Sequence, residues 1–208
     1  MVSSFPNDCL DPTVLFPPEL ALQLVKDFTF KEVRPLLAVS TRWRKLAFDS
    51  PAYWSDIRLD SPTLGAVDLF LTRLTRSRAR PITVVAEIIP SRAETAIFSA
   101  ITDHLYHITR LAIYLDCNDM CALWRSLRIE APELRDLCLY LIKEEPSVVP
   151  GTIVIPPDLF AGEAPLLTDV IVMNFRFPPP PRTVRAFARV TGGNIIYTEP
   201  TSMFDIFY

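Results

Sequence analysis

Leu15-Phe16-Pro17-Pro18-Glu19-Leu20, Ala21-Leu22-Gln23-Leu24-Val25-Lys26-Asp27-Phe28, Val33-Arg34-Pro35-Leu36-Leu37-Ala38-Val39-Ser40-Thr41-Arg42-Trp43-Arg44-Lys45-Leu46-Ala47 and Pro51-Ala52-Tyr53-Trp54 are the runs that decide the fold. No glycine interrupts residues 15–54, so nothing there reads as a flexible linker. Pro17 and Pro18 suit a helix start, where the first N–H groups lack intrahelical partners. From Leu20 to Phe28 the residues Leu20, Ala21, Leu22, Leu24, Val25 and Phe28 cover an arc of about 200° at helical spacing. A surface helix ordinarily buries a stripe of about 100° or a little more. A small helical unit has one core to offer, so the surplus apolar surface calls for a second partner.

Pro35 costs about 3 kcal/mol in a helix interior. The next helix is therefore expected to start at Val33 or Arg34, with Pro35 in its first turn and Leu36, Leu37 and Val39 packed inward. In the third segment Trp43, Leu46 and Ala47 share a face that Phe48 widens, and Arg42, Arg44 and Lys45 spread over the other.

Phe16-Pro17-Pro18-Glu19-Leu20, followed at a fixed distance by Val39-Ser40-Thr41-Arg42-Trp43-Arg44-Lys45-Leu46-Ala47 and Pro51 to Trp54, resembles an F-box. The fungal form is the nearer likeness, because a Pro-Leu-Leu run precedes the Val-Ser-x-x-Trp-Arg segment. The likeness spans about forty residues without a gap, with Phe16-Pro17 standing where Leu-Pro is usual; order and spacing carry it, not any one residue.

With 208 residues, half of them hydrophobic, the chain has material for one sizeable domain or two small ones. A net charge of -3 argues against a general nucleic-acid binder. Five glycines and 20 prolines mean many fixed corners and few left-handed turns. The N-terminus shows no secretory signal pattern, no run suits a bilayer span, and no Asn-x-Ser/Thr acceptor occurs. Cys9, Cys117, Cys121 and Cys138 are accordingly read as reduced thiols, with Cys138 buried in a strand, and the chain as cytoplasmic and/or nuclear, not secreted.

Residues 1–13 read as a poorly ordered lead-in, 14–56 as the F-box-like helical domain and 57–208 as a repeat domain. In the last, strands are expected at Ser55–Leu59, Pro81–Val85, Leu111–Leu115, Leu134–Leu141 and Leu167–Val172. A sixth falls within Val184–Val190 or Ile195–Tyr197. Between them lie helices with Leu64, Val67, Leu71 and Leu74 on one buried face, then Ile97, Phe98, Ile101, Leu105 and Ile108 after a capping box at Ser91 to Glu94, then a helix from Asp116 to Leu127. A strand-helix unit of roughly 25 to 33 residues means stacked repeats. Ile108-x-x-Leu111-x-Ile113, Leu134-x-x-Leu137-x-Leu139 and Leu167-x-x-Val170-x-Val172 resemble leucine-rich repeats that lack the usual asparagine, Asn174 falling one position short. Ile155 to Phe160 and Ala164 to Leu167 resemble later repeats of fungal F-box proteins. The expected fold is α/β: an N-terminal three-helix F-box followed by a short leucine-rich-repeat-like solenoid of alternating strands and helices. Ile206-Phe207-Tyr208 carries no polar cap, so the far end is expected to be the weak one, as in a short or incomplete version of the family pattern.

Chemistry is thin. His104, His107, Cys117 and Cys121 have plausible zinc spacings, but a strand is expected between the pairs and separates them. Arg73, Arg76, Arg78 and Arg80 form a basic cluster at a helix end, read as solvated and favoured by the helix dipole. Pro178 to Arg182 reads as a rigid connector. No nucleophile-base pair and no phosphate-cradling loop is visible, so the chain is read as a non-catalytic subunit with no cofactor and no metal.

The resemblance implies a partner, a Skp-type adaptor protein of a cullin-RING ligase, contacted by Phe16, Pro17, Leu20, Leu24, Leu37 and Val39. Alternation on the strands leaves Arg58, Val85, Tyr114, Tyr140 and Met173 on an open face for an unknown target protein. The implied function is an F-box substrate receptor that links a target to a Skp-cullin-RING ubiquitin ligase. The alternative is a leucine-rich-repeat-like interaction scaffold with no ligase recruitment. No nucleic acid and no membrane partner is expected.

Overall fold

The computed structural model describes residues 17–25, 28–61, 63–88, 94–115, 120–142, 153–175, 184–188 and 190. The chain divides into two compact units, Met1–Ile57 and Arg58–Tyr208.

In the first unit, α1 spans Pro18–Val25, and the Pro17 carbonyl accepts the N–H groups of Leu20 and Ala21 at 3.1 and 3.2 Å. Short α2 (Phe30–Val33) follows. The Glu32 carboxylate reaches back to accept both the Thr29 N–H (2.7 Å) and the Thr29 hydroxyl (2.8 Å). Those two bonds hold the Glu32 carboxyl below its ordinary range, the backbone bond first. Next comes a 3-10 turn at Arg34–Ala38 with Pro35 in its first turn, where a missing N–H is harmless. Helix α3 is Thr41–Asp49, capped by Ser40, whose hydroxyl accepts the Trp43 N–H at 3.3 Å. Pro51 opens α4 (Pro51–Ser55).

Phe30, Val33, Ala47 and Tyr53 form the core of this unit, flanked by Phe28, Leu36, Leu37, Ala52 and Trp54. The Tyr53 ring meets Phe48 and Trp54 edge-on at 5.1 and 4.9 Å. Trp54 Nε1 donates to the Phe48 carbonyl at 2.6 Å, which satisfies the one polar atom of a packed indole. Val39 does not pack inward as expected: it caps the 3-10 turn and is half exposed. Val39 follows the turn as its cap, its N–H donating to the Leu36 carbonyl at 3.3 Å, so it belongs to the exit of the turn rather than to the stretch that packs inward.

Five strands build one sheet in the order β1 (Asp56–Leu59), β2 (Ile82–Ile88), β3 (Ile108–Leu115), β4 (Asp136–Leu141) and β5 (Asp169–Met173). Strands β2 to β5 pair parallel, each with its successor in sequence. Parallel neighbours need a crossover connection; α6 (Glu94–His104) lies between β2 and β3 and α7 (Met120–Ser126) between β3 and β4, while α5 (Leu64–Ser77) lies between β1 and β2. Helix α6 packs on α5 and on α7. The class is thus mixed α/β with a five-stranded sheet and, among the described residues, seven α-helices. None of those helices is long and apolar enough to cross a membrane.

Register places Val84, Leu111, Leu137 and Val170 in one row, and Ala86, Ile113, Leu139 and Val172 in the next. All eight are buried. Ile108, Leu134 and Leu167, the leading positions of the three apolar patterns, are buried as well. Ala131-Pro132 and Ala164-Pro165 make matching turns: Leu134 N–H donates to Ala131 O at 3.3 Å and Leu167 N–H to Ala164 O at 3.2 Å. Arg135 N–H then reaches Thr109 O (2.8 Å), and Thr168 N–H reaches Arg135 O (2.9 Å). Backbone bonds thus tie the entry of β4 to that of β3 and the entry of β5 to that of β4. Between β4 and β5 the chain turns at Leu159–Gly162, with Phe160, Ala161 and Gly162 all at positive φ. A side chain at Gly162 would meet Arg185 at 3.2 Å in a conformation L-residues rarely take.

Several local expectations are corrected. Helix α5 buries Val67, Phe70 and Leu74, while Leu64 is 80% exposed and Leu71 half-buried. Thr63 caps this helix, so Leu64 stands in its first turn, ahead of the stretch that Val67 anchors to the core. Ile108 is not helical: α6 ends at His104, a 3-10 turn covers Leu105–His107, and Ile108 opens β3. Arg73 leaves the basic cluster, being 1% exposed and partnered, because it falls one turn after Phe70 on the buried side. Val184–Val190 holds a 3-10 turn at Arg185–Phe187 rather than a strand. The capping box from Ser91, the run Pro178 to Arg182 and Ile195–Tyr197 lie outside the described residues.

Candidate protein-docking surfaces

Helix α1 has two lines of apolar side chains. Ala21 and Val25, one turn apart, are buried, and α1 packs on α3. Leu20 and Leu24, also one turn apart and rotated by about 100°, are 47% and 53% exposed. Leu22 is exposed on the other flank. Leaving such leucines in water forgoes about 1.5–3 kcal/mol of burial each. Two small side chains therefore suffice to hold α1 to its unit, and three large ones stay outside.

Of the residues expected to contact an adaptor, Pro17, Leu20, Leu24 and Val39 are exposed. Leu37 is half-buried against the Phe30–Tyr53 core, and its carbonyl accepts from Arg44 Nε at 3.0 Å. Phe16 lies outside the described residues. Leu20 and Leu24 form one ridge, and Val39 stands at the exit of a separate turn; α1 and the Arg34–Ala38 turn each contact α3. Leu22 was not singled out, although its place in the apolar arc carried the signal.

The second surface is the outward face of the sheet. Tyr114 and Tyr140 are register partners with ring centroids 5.9 Å apart. Their row continues to Glu87 on β2 and Met173 on β5. Val85 sits one row away, beside Ala112 and Cys138. Arg58, Val85, Tyr114 and Tyr140 are half-buried. Met173 is 4% exposed, which removes it from an open face: its side chain is covered where the array reaches β5. Glu87 takes its place as the outward residue of the row that alternation alone did not single out.

Electrostatics on this face are set by burial. Desolvation, and then the neighbouring Cys138, push the Tyr114 phenol well above its ordinary value, with Arg58 pulling the other way. The Cys138 thiol is pushed up to about 11 by burial, against a hydrogen bond with Tyr114. Both groups are neutral at physiological pH and serve as hydrogen-bonding, polarisable surface. Glu87 is raised by desolvation and by Asp60. At the strand entries Arg110 Nε pairs with Asp136 at 3.2 Å, half in solvent and worth about 1 kcal/mol or less.

His104 and His107 bond to each other, Nδ1 to Nε2 at 3.0 Å, and Cys121 is exposed on α7. Among the described residues no group of three His, Cys, Asp or Glu is arranged to hold a metal ion; Cys117 lies outside them. Neither a family model, nor a curated protein sequence, nor a solved structure matches the chain.

Proposed function

We propose that this chain is a non-catalytic substrate receptor of F-box type. Its first unit docks on a Skp-type adaptor of a cullin-RING ubiquitin ligase, and its sheet, a short leucine-rich-repeat-like solenoid, holds a target protein. The observation that carries the reading is the pair Leu20 and Leu24, turned out of the unit on a helix that Ala21 and Val25 already anchor. The order of short helices, the exposed Val39 and the succession of parallel strands agree with it. A receptor of this kind works in the cytoplasm or nucleus. Target contact falls to Arg58, Glu87, Tyr114 and Tyr140, because tyrosine and arginine are common anchors of interfaces.

The test is capture of a recombinant Skp-type adaptor by the full chain. The double variant Leu20→Ala/Leu24→Ala is expected to lose at least tenfold in affinity, since two such contacts exceed about 1.4 kcal/mol. Its melting temperature should stay that of the parent. Tyr114→Ala/Tyr140→Ala should keep the adaptor. A parent chain that captures no adaptor would remove the ligase reading and leave the interaction scaffold.

A further inference from the structure

Arg76, Arg78 and Arg80 are exposed where α5 ends and the chain turns towards β2, in a protein whose net charge is -3. Arg76 stands in the last turn of α5, where a cation suits the helix dipole, and it has a partner of its own. Arg78 and Arg80 lie beyond the helix. Among the described residues neither of their guanidiniums has a hydrogen-bond or ion-pair partner. Asp103, the carboxylate closest to them on the segment that follows α6, interacts with His104 instead. The turn therefore carries a local positive charge, against the sign of the whole chain.

The backbone under these arginines is unusual. Ser77 to Arg80 is a four-residue turn, closed by the Arg80 N–H donating to Ser77 O at 3.3 Å. Arg78 takes its first central position at φ 56, ψ -129, a type II′ conformation that normally takes glycine. A side chain there strains the chain, and glycine would relieve it. Two bonds from the Leu105–His107 turn hold the strained conformation. Tyr106 OH donates to Arg78 O at 3.3 Å, and His107 donates through Nδ1 to Arg80 O. The Tyr106 and His107 rings stack with centroids 4.4 Å apart. The fold thus braces an arginine at a glycine position, and that arginine's side chain stands in solvent. What it supplies is a planar fork of N–H donors on a fixed backbone.

We propose that Arg78 and Arg80 dock a carboxylate-rich segment of a partner protein, its Asp or Glu side chains paired with the two guanidinium forks beside the half-exposed ring of Tyr106. The ends of such a turn lie within about 7 Å of each other, so two arginine side chains can converge on neighbouring carboxylates. Arginine and carboxylate match in bidentate geometry, which gives orientation as well as attraction. Because the chain as a whole is acidic, the attraction is confined to this turn, which suits a short acidic segment better than a long polyanion. The surface uses none of the residues assigned to adaptor or sheet-face contact and needs no adaptor.

The test titrates the full chain against a fluorescently labelled peptide of alternating glutamate and serine, read by polarisation at about 0.15 M salt. The parent is expected to capture the peptide, and Arg78→Gly/Arg80→Gln to weaken capture by about tenfold or more, two charge-assisted contacts being lost. Arg78→Gly alone should weaken capture without lowering the melting temperature, because the fork and the backbone strain leave together. A side chain with a merely structural role would lower it. Arg125→Gln, an exposed change of the same charge on α7, should leave capture as in the parent. A parent that captures no peptide overturns the proposal, as does capture undiminished in Arg78→Gly/Arg80→Gln. So does a single-stranded DNA of equal charge held more tightly than the peptide. Adaptor capture through Leu20 and Leu24 is measured separately, so either result stands without the other.

Discussion

The side-chain amide of Asn174 donates to the main-chain carbonyl of Leu141 at 2.7 Å, across 33 residues of sequence. Asn174 also sits at φ 67, a conformation asparagine tolerates better than most residues. The one side chain therefore turns the chain after β5 and satisfies the end of β4. Asn174→Ala loses the bond and strains the backbone, and should cost about 1–3 kcal/mol. Asn174→Gly loses the bond but relaxes φ, and should cost less. Urea unfolding of the two variants measures the order.

Helix α5 offers a matched pair of leucines. Leu74 is fully buried and Leu64 almost fully exposed. Leu74→Ala should destabilise by about 2–5 kcal/mol, and Leu64→Ala by no more than about 0.5 kcal/mol. Thermal or chemical unfolding reads the difference, and equal losses would contradict the assigned face.

Cys138 and Cys121 should label at very different rates. Cys121 is exposed on α7, whereas Cys138 is buried on β4 with its thiol pushed up to about 11. At about pH 8 that leaves roughly one Cys138 in a thousand as thiolate, before access is considered. Maleimide labelling followed by peptide mapping should mark Cys121 in the folded chain and Cys138 only after denaturant is added.

Glu87 carries a pH dependence whose sign is fixed. Its folded pKa is raised above the ordinary 4.5 by desolvation and by Asp60. Below the unfolded value the group is protonated in both states and contributes no penalty. As pH rises through the folded value, the native state must hold a carboxylate it disfavours, and stability falls. Glu87→Gln should therefore be more stable than the parent at neutral pH, with the advantage vanishing in acid. Melting curves across that range decide it; an advantage that grows on acidification would reverse the sign.

Much of the architecture is legible locally. Two-residue alternation marks β2, β3, β4 and β5, because strand side chains point to opposite faces whatever lies around them. Pro18 and Pro35 locate helix starts, because the pyrrolidine ring restricts φ in any context. The patterns at Ile108, Leu134 and Leu167 put the right residues in the core. Helix faces at element ends were less legible, as Leu64, Val39 and Ile108 show, since the last turn before a strand or cap follows its neighbours rather than its own period.

By itself, then, the sequence determined which segments are helix or strand, the spacing of the parallel strands, and an excess of apolar surface on α1. Only the tertiary structure decided which half of that surface is covered, Ala21 and Val25 rather than Leu20 and Leu24. It alone set Glu87, not Val85, in the row of Tyr114 and Tyr140. It also brought His107 to the carbonyl of Arg80, 27 residues away. The reason is physical: periodicity is a property of neighbours along the chain, whereas register and coverage depend on where distant segments come to rest.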